Sequence, residues 1–373
     1  MKNPFTIGLV SENEFCNRER ELGELITYAK NGSKVMFCSP RRYGKSSLVF
    51  LVLDKLRKEG FLTAYVDLFP ISSEDDFISR FATAVIKGFG AGLDQKTFLE
   101  KIKGIFSVLR PVVEFVPDGV SISVKVDSPE KRSMALDDLM DGIGKYVKKR
   151  KIQACIALDE FQEITELATS KKIEGILRSH IQHQKDVSYF YIGSRRRILQ
   201  DMFHNKSRPF YKSTYTYILE PISADHFAPF ISKRFTGTGK ACSLALARII
   251  YDLAQGYPYY VQKLASIVWD AVEHVCDIGT IHQSFERLVR MEAADFEGIW
   301  GGLSLSRKSF LRTISLEPTA TPYAKNFLEK QSLSIGGAQK AMKVLLAKDL
   351  IEKSPEGVYR PTDPIMREWL KKG

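Results

Sequence analysis

The sequence predicts an α/β fold, in which a parallel five-stranded sheet with helices on both faces is followed by a helical lid and a C-terminal winged helix. Short apolar runs alternate with helical periodicity as far as residue 221, which is typical of βαβ units. Residues 222–300 show helical periodicity alone. Residues 301–373 have the pattern helix, turn, helix and ribbon. We therefore expect three domains, at 1–221, 222–300 and 301–373.

The first apolar run leads directly into a phosphate-binding sequence. Residues 35–38 precede Ser39-Pro40-Arg41-Arg42-Tyr43-Gly44-Lys45-Ser46-Ser47, and an apolar helical run follows to about residue 58. A strand that ends in Gly-Lys-Ser and turns helical is the context of a P-loop. Backbone N–H groups of the loop then face a phosphate, Lys45 supplies a positive charge, and the Ser46 hydroxyl is a Mg²⁺ ligand.

The entrance of this loop departs from the usual pattern. Ser39 occupies the position of the first glycine in G-x-x-x-x-G-K-[ST]. The loop tolerates a serine there if its φ is not positive, and Pro40 biases Ser39 towards an extended conformation.

An amphipathic helix is predicted just before the P-loop, and the turn that opens it has two interpretations. Apolar residues recur at helical spacing after Asn17 and Arg18. In one interpretation the segment only packs on the sheet edge. In the other, the turn covers an adenine, with Asn17 and Arg18 near the base.

The segments after the P-loop complete a βαβ unit and add an insertion. Residues 61–67 predict a strand and residues 75–89 a helix. Alternating apolar residues on both sides of Pro117-Asp118-Gly119 predict a β-hairpin at about 110–127. The hairpin is either a peripheral insertion in the core fold or an arm that recognises a binding partner.

A pair of carboxylates follows the next buried run. After a helix at 134–149, residues 151–158 predict a buried strand that ends in Asp159-Glu160. The carboxyl ends of parallel strands are where an open α/β sheet binds ligands. We assign Asp159 to Mg²⁺ and Glu160 to the general base that polarises a water. A helix N-cap with an acidic first turn is the alternative.

The fourth predicted strand, residues 187–193, ends at a serine and three arginines. Ser194 is a candidate sensor of the γ-phosphate if this strand lies between the other two. The arginines at 195–197 have three open roles, which are stabilising transition-state charge, contacting nucleic acid, or lining a solvated loop. Arg178, late in the preceding helix, is the candidate for a finger that acts on a neighbouring subunit. A fifth strand at 214–219 closes the sheet.

Helices alone are predicted in the lid. We expect them at residues 224–235, 243–255, 258–275 and 281–291. Glycine ends one helix and proline opens the next at Gly256-Tyr257-Pro258. This turn either only separates two helices or is a lid segment that brings Pro258 to the nucleotide.

The C-terminal segment carries cations on its predicted second helix and its wing. We expect helices at 306–315 and 334–348, with a short helix between them that ends at residue 330, and an extended pair around residues 355–357. The cations lie on that helix, in the wing and in the tail: Lys340, Lys343, Lys353, Arg360, Arg367, Lys371 and Lys372. Such a unit either contacts DNA or serves as a packing module.

The composition is that of a globular protein with a basic balance. The 373 residues are 44% hydrophobic and carry a formal net charge of +11, which fits nucleic acid or another acidic surface and equally a protein with basic solvated faces. The sequence has no apolar run long enough for a membrane span and no secretory leader, so we expect a cytoplasmic protein. Five widely spaced cysteines predict buried thiols and no disulfide framework.

The chain resembles the archaeal-type ATPases of the STAND class of P-loop NTPases, which are related to AAA+ and Orc/Cdc6-like proteins. The resemblance rests on five strings: Phe15-Cys16-Asn17-Arg18-Glu19, Pro40-Arg41-Arg42-Tyr43-Gly44-Lys45-Ser46-Ser47-Leu48, Leu158-Asp159-Glu160-Phe161-Gln162, Gly193-Ser194 and Gly256-Tyr257-Pro258. It implies an ASCE/AAA+-like fold, binding of ATP or ADP with Mg²⁺, slow hydrolysis, and use of the nucleotide as a conformational switch.

Two functions from different classes follow. The first is a Mg²⁺-dependent ATPase that works as a nucleotide-driven switch and engages DNA, a protein partner or further copies of itself. The second is a DNA-binding regulatory or adaptor protein that holds a nucleotide and hardly hydrolyses it.

Overall fold

A computed structural model describes residues 1–8, 14–90, 109–116, 119–126, 132–330, 333–354 and 356–372. These residues form two compact units. The sheet unit comprises Arg18–Ser39 and Lys45–Leu219. The C-terminal unit comprises Met1–Asn17, Pro40–Gly44 and Glu220–Gly373.

The sheet unit contains the predicted parallel five-stranded sheet. Its strands are β1 (Lys34–Phe37), β2 (Leu62–Asp67), β5 (Ala154–Asp159), β6 (Val187–Tyr191) and β7 (Tyr215–Tyr217). Their order is β2-β5-β6-β1-β7, and every neighbouring pair is parallel. Strand β6 therefore lies between β1, which leads into the P-loop, and β5, which ends at Asp159. All three carboxyl ends meet at one edge of the sheet, as the sensor assignment of Ser194 requires.

Helices flank this sheet and bury its apolar residues. They are α1 (Glu19–Lys30), α2 (Lys45–Lys58), α3 (Glu74–Phe89), α4 (Arg132–Arg150), α5 (Ser170–Ile181) and α6 (Arg196–His204). Strands β5 and β6 are buried along their whole length, which is typical of central strands covered on both faces. The resulting core is continuous from β2 through β5 and β6 to α6.

The predicted hairpin is also present. It consists of β3 (Leu109–Val116) and β4 (Gly119–Val126), paired antiparallel with Val116 opposite Gly119. The Ser79 hydroxyl of α3 donates to the Val124 carbonyl at 2.6 Å. The proline and aspartate of the predicted turn, at 117 and 118, lie outside the described residues.

The first part of the C-terminal unit is helical, with two bounds that differ from prediction. Its helices are α7 (Ala224–Thr236), α8 (Leu244–Leu253), α9 (Pro258–Ala271) and α10 (Ile278–Gly301). The expected helix at 258–275 ends at Ala271, because the chain beyond it forms a bridge in which Cys276 N–H donates to the Ala241 carbonyl at 2.8 Å. The expected helix at 281–291 is longer, since Asp277 caps its first turn and helical residues continue to Gly301.

The C-terminal segment forms the predicted winged helix and one helix more. It contains α11 (Leu305–Leu316), α12 (Lys325–Glu329), α13 (Ile335–Ala347), β8 (Ile351–Lys353) and β9 (Tyr359–Pro361). The two strands pair antiparallel as the wing. A final helix, α14 (Pro364–Lys372), was absent from the sequence interpretation. Its buried residues join one core with α9, α10 and α11.

All five cysteines lie in the described residues and are free thiols; Cys16, Cys155, Cys242 and Cys276 are buried as predicted, whereas Cys38 is only half-buried. Across the described ranges, no helix combines the length and the apolarity that a membrane span needs.

Candidate nucleotide site

The P-loop connects β1 to α2 and has two residues in the left-handed region. Arg42 has a φ of 67° and Gly44 a φ of 78°. Ser39 is not among the residues of positive φ, which meets the condition for a serine at the loop entrance. Its hydroxyl accepts from Leu219 N–H at 2.8 Å and lies 3.2 Å from the Leu219 carbonyl oxygen. Ser39 therefore ties the loop entrance to the chain after β7, a contact that glycine has no side chain to make.

Lys45 begins α2 and is 7% exposed. Its ammonium group donates to the Ser39 carbonyl at 3.1 Å. The charge thus lies inside the loop, where it compensates an acceptor at the loop entrance and has the reach to turn towards an anion.

Two donors meet on one oxygen of Asp159, at the end of β5. The Ser46 hydroxyl donates to Asp159 Oδ2 at 2.9 Å, and the Tyr65 hydroxyl donates to the same atom. Burial, followed by the charge of Asp159, raises the pKa of Tyr65, so the phenol stays protonated. The sequence interpretation missed Tyr65. Its only sequence signal is the polar hydroxyl of a tyrosine two residues before the end of β2, the strand beside β5.

The hydroxyl and carboxylate oxygens of Ser46 and Asp159 suit a hard cation such as Mg²⁺. Within the described part of the chain, no group of three His, Cys, Asp or Glu residues is arranged to hold a metal ion. Mg²⁺ normally takes one or two protein ligands together with phosphates and water. The residues present therefore fit a Mg²⁺ ion that a nucleotide brings with it.

Glu160 takes a left-handed conformation, with a φ of 51°, and its carboxylate has three donors. Ser194 contributes its hydroxyl at 2.8 Å and its N–H at 3.3 Å to Oε2. Gln162 Nε2 donates to the same oxygen. The structure thus brings Glu160 and Ser194 together, as expected if β6 lies between β1 and β5.

Gly193 makes room for this arrangement. A Cβ atom on Gly193 would lie 2.0 Å from Gln162 Oε1. Gln162 is fully buried, and its Oε1 has no hydrogen-bond partner among the described residues. The glycine before Ser194 therefore lets the Gln162 amide reach Glu160.

Two arginines that the sequence singled out, Arg195 and Arg178, have hydrogen-bond partners within the sheet unit. Arg195 contacts Glu163 at 2.5 Å and Glu166 at 2.7 Å. Although burial opposes it, the hydrogen bonds that Arg195 donates to these two carboxylates raise the pKa of Arg195. Arg178 donates to Gln182 at 2.7 Å, at the end of its own helix. The structure does not bring Arg178 to the P-loop of this chain, so its assignment as a finger rests on a second copy.

The predicted adenine turn has unusual backbone geometry. Asn17 and Arg18 have φ values of 50° and 130°. Arg18 is 5% exposed, and its Nη1 donates to Glu21 at 2.6 Å. Its Nη2 is buried and has no hydrogen-bond partner in the part of the chain that the structure describes, so a donor remains at the position predicted to lie near the base.

Ser47 is buried on α2 of the sheet unit, and the other predicted nucleotide residues belong to the C-terminal unit. The Tyr43 ring meets the Tyr257 ring edge-on, with centroids 5.0 Å apart. Arg42 packs on α9, the helix that Pro258 opens, and its carbonyl accepts from Tyr259 N–H at 3.3 Å. The side chains of Arg42 and Tyr43 thus contact protein, and the backbone N–H groups are the part of the loop suited to phosphate.

A family model described as "Probable winged helix domain" matches residues 294–372. No curated protein matches the chain. Among solved structures, the chain is similar to a Walker-type ATPase of Pyrococcus abyssi, with 15% identity, 96% of this chain and 97% of that chain covered, and a TM-score of 0.68.

Two proteins of Aeropyrum pernix are also similar in structure. The ORC2 protein, in ADPNP-ADP complexes, has 14% identity, 96% and 94% coverage and a TM-score of 0.61. The ORC1 protein in complex with DNA has 13% identity, 96% and 93% coverage and a TM-score of 0.51. The chain therefore has the P-loop α/β fold shared by this Walker-type ATPase and these ORC proteins, with a winged helix in its C-terminal part.

Proposed function

We propose that the protein is a Mg²⁺-dependent ATPase of the STAND class, in which bound ATP or ADP acts as a conformational switch. The observation that carries the proposal is the pair of contacts at one sheet edge, Ser46 to Asp159 and Ser194 to Glu160, beside a P-loop. The residues that we assign as metal ligands, base and sensor thus lie at the carboxyl ends of neighbouring strands of the sheet unit, where an open α/β sheet binds ligands.

Each residue has a separate role in hydrolysis. Lys45 provides positive charge for the β- and γ-phosphates, while Ser46 and Asp159 hold Mg²⁺, which neutralises phosphate charge when bound. Glu160 accepts a proton from the attacking water, and Ser194 orients that carboxylate. Hydrolysis by such a site is positioning together with electrostatic stabilisation.

Slow turnover is part of the proposal. The Glu160 carboxylate already accepts from Ser194 and Gln162, and Lys45 donates to Ser39. Each of these groups has to break a hydrogen bond to protein before it acts on water or phosphate, and this step slows turnover. The ADPNP and ADP complexes of the ORC2 protein support the choice of an adenine nucleotide.

Calorimetry with Mg-ATP tests the binding half of the proposal. Lys45→Ala is expected to weaken binding roughly 10- to 100-fold, since a hydrogen bond to a charged group is worth about 1.5–3 kcal/mol. Lys58→Ala is the control, because Lys58 lies on the same helix and pairs with Asp54 at the surface. Unchanged affinity in Lys45→Ala would remove the P-loop assignment.

A DNA-binding adaptor that holds nucleotide without turnover is the second candidate. The exposed face of α13 carries Gln339, Lys340 and Lys343, and neither lysine has an ion-pair partner within the described residues. Two cations of the wing and tail differ from these lysines in having ion-pair partners, since Arg360 pairs with Glu352 and Lys372 with Glu286. The ORC1 protein in complex with DNA has a related fold.

Salt dependence distinguishes this candidate from the first. DNA affinity that falls steeply with salt, without measurable release of phosphate from ATP, favours the adaptor. In that case Lys340→Ala reduces the salt slope by about 1, because it removes one phosphate contact. Absent or salt-independent binding removes the candidate.

A further inference from the structure

The side chain of Arg42 is the centre of a charged and aromatic cluster in the C-terminal unit. Its Nη1 lies 2.8 Å from Glu292 Oε2 on α10 and 3.9 Å from Asp363 Oδ2, just before α14. The guanidinium carbon lies 4.5 Å from the centroid of the Tyr260 ring and 4.7 Å from that of Tyr259. A P-loop residue thus has four partners that are far away in sequence.

Glu292 is built to stay charged in this cluster. Its side chain is 3% exposed, and Lys263 donates to its second carboxylate oxygen. Burial alone would raise the pKa of Glu292, but hydrogen bonds from Lys263 and Arg42 hold it below its usual value. Glu292 is an almost fully buried anion with two cationic partners. Breaking its ion pair with Arg42 is therefore unfavourable, because the buried charge would lose one of these partners.

The cluster continues into the winged helix. The Tyr260 hydroxyl donates to Asp363 Oδ2 at 2.6 Å. The other carboxylate oxygen of Asp363 accepts from the N–H groups of Ile365 and Met366, in the first turn of α14. Asp363 therefore caps the last helix of the winged helix while it faces Arg42.

The backbone of the P-loop depends on these contacts. Arg42 adopts a positive φ, a conformation that is unfavourable for a residue with a side chain. The Tyr259 N–H bond to the Arg42 carbonyl and the ion pair with Glu292 hold this conformation. The φ of Arg42 sets the direction of the loop three residues before Lys45.

We propose that Glu292 is a positioning residue for nucleotide binding, because it holds Arg42 and thereby fixes loop 40–44 to the winged helix. The inference rests on the proposed function, since it assigns the P-loop to a nucleotide. Glu292 does not touch the ligand in this account. Nucleotide binding and the order of α14 are coupled, and the coupling is reciprocal.

A double-mutant cycle tests the positioning role. Glu292→Gln and Arg42→Gln are each expected to weaken binding of Mg-ATP about tenfold, and the double variant is expected to bind no more weakly than the weaker single variant. Glu297→Gln is the matched control, since Glu297 lies on the same helix with its side chain exposed to solvent. If Glu292→Gln binds Mg-ATP as tightly as the wild type, the inference is wrong.

The rate of hydrogen exchange in residues 363–372 is a second measurement. If the ion pair were merely structural, this rate would not respond to Mg-ATP. In the wild type, Mg-ATP is expected to slow exchange in this segment, and in Glu292→Gln this response is expected to disappear. Asp363→Asn serves the same purpose if Glu292→Gln does not fold. A wild-type chain that binds no Mg-ATP overturns the proposed function and the inference with it. Binding without any response of residues 363–372 overturns the inference alone.

Discussion

The Tyr65 hydroxyl donates a hydrogen bond to Asp159 Oδ2, across the neighbouring strands β2 and β5. The same carboxylate oxygen accepts from Ser46, so the predicted metal ligand is oriented by two side chains from different elements. Partners of this kind fix the direction of a metal ligand.

The Tyr65→Phe variant is expected to need about tenfold more Mg²⁺ for half-maximal ATP binding, because Asp159 loses one of its two orienting donors. The phenyl ring keeps its stacking on Phe50, whose centroid lies 4.1 Å away, so the melting temperature should change little. A Mg²⁺ titration at fixed ATP measures the effect. An unchanged titration curve would show that Tyr65 does not orient the metal ligand.

Removing the Ser194 hydroxyl is expected to slow hydrolysis about tenfold and to leave the affinity for Mg-ATP unchanged. The hydroxyl orients the Glu160 carboxylate at 2.8 Å, and a general base contributes only when it is positioned on the water. Single-turnover hydrolysis by Ser194→Ala measures this. Ser179→Ala is the control, since its exposed hydroxyl bonds only within its own helix. A wild-type rate in Ser194→Ala would remove the sensor assignment.

The close contact between α3 and β2 predicts an asymmetry between two glycines. A Cβ on Gly88 would lie 2.1 Å from the Thr63 carbonyl oxygen, whereas a Cβ on Gly175 meets nothing within 4 Å. Gly88→Ala is expected to lower the free energy of unfolding by about 1–3 kcal/mol through overpacking. Gly175→Ala is expected to raise it by up to about 1 kcal/mol through helix propensity. Denaturant unfolding of both variants measures the difference, and equal effects would contradict the packing of α3 on β2.

Glu174 predicts a pH dependence of stability. It is fully buried on α5, and burial raises its pKa from 4.5 to about 7 although Arg208 Nη2 lies 2.8 Å away. Between these values the folded protein keeps a proton that the unfolded chain has released. The free energy of unfolding therefore falls as the pH rises through this window, by about 3 kcal/mol at most.

The Glu174→Gln variant isolates this contribution, because glutamine does not titrate. Relative to the wild type, the variant should gain stability between pH 5 and pH 8. Denaturant unfolding of both proteins at the two pH values measures the gain. Parallel pH profiles would show that Glu174 titrates at the same pH in the folded and unfolded chains.

The parallel sheet was predictable because local patterns report its strands, whereas the position of β6 between β1 and β5 was only a condition of the Ser194 assignment. A buried run that ends in Gly-Lys-Ser, and another that ends in Asp159-Glu160, indicate both the strands and the edge at which they end. Ser194 followed from the same reasoning, since the parallel sheet brings the ends of β5 and β6 together.

The contacts that lie far apart in sequence were not predictable. Arg42 and Glu292 are separated by 250 positions, and neither residue type indicates a partner by its spacing. Helix α9 ends at Ala271 because of pairing with Ala241, which competes with its own helical periodicity. Tyr65 was missed because its role depends on which strand lies beside β5.

Release of phosphate by the Glu160→Gln variant tests the central claim most directly. Glutamine keeps the size of the side chain and cannot accept the proton from water. The account predicts that the variant binds Mg-ATP as the wild type does and releases phosphate at least about 100-fold more slowly. Release of phosphate at the wild-type rate would contradict the assignment of Glu160 as the base, and a wild-type protein that releases none would contradict the ATPase itself.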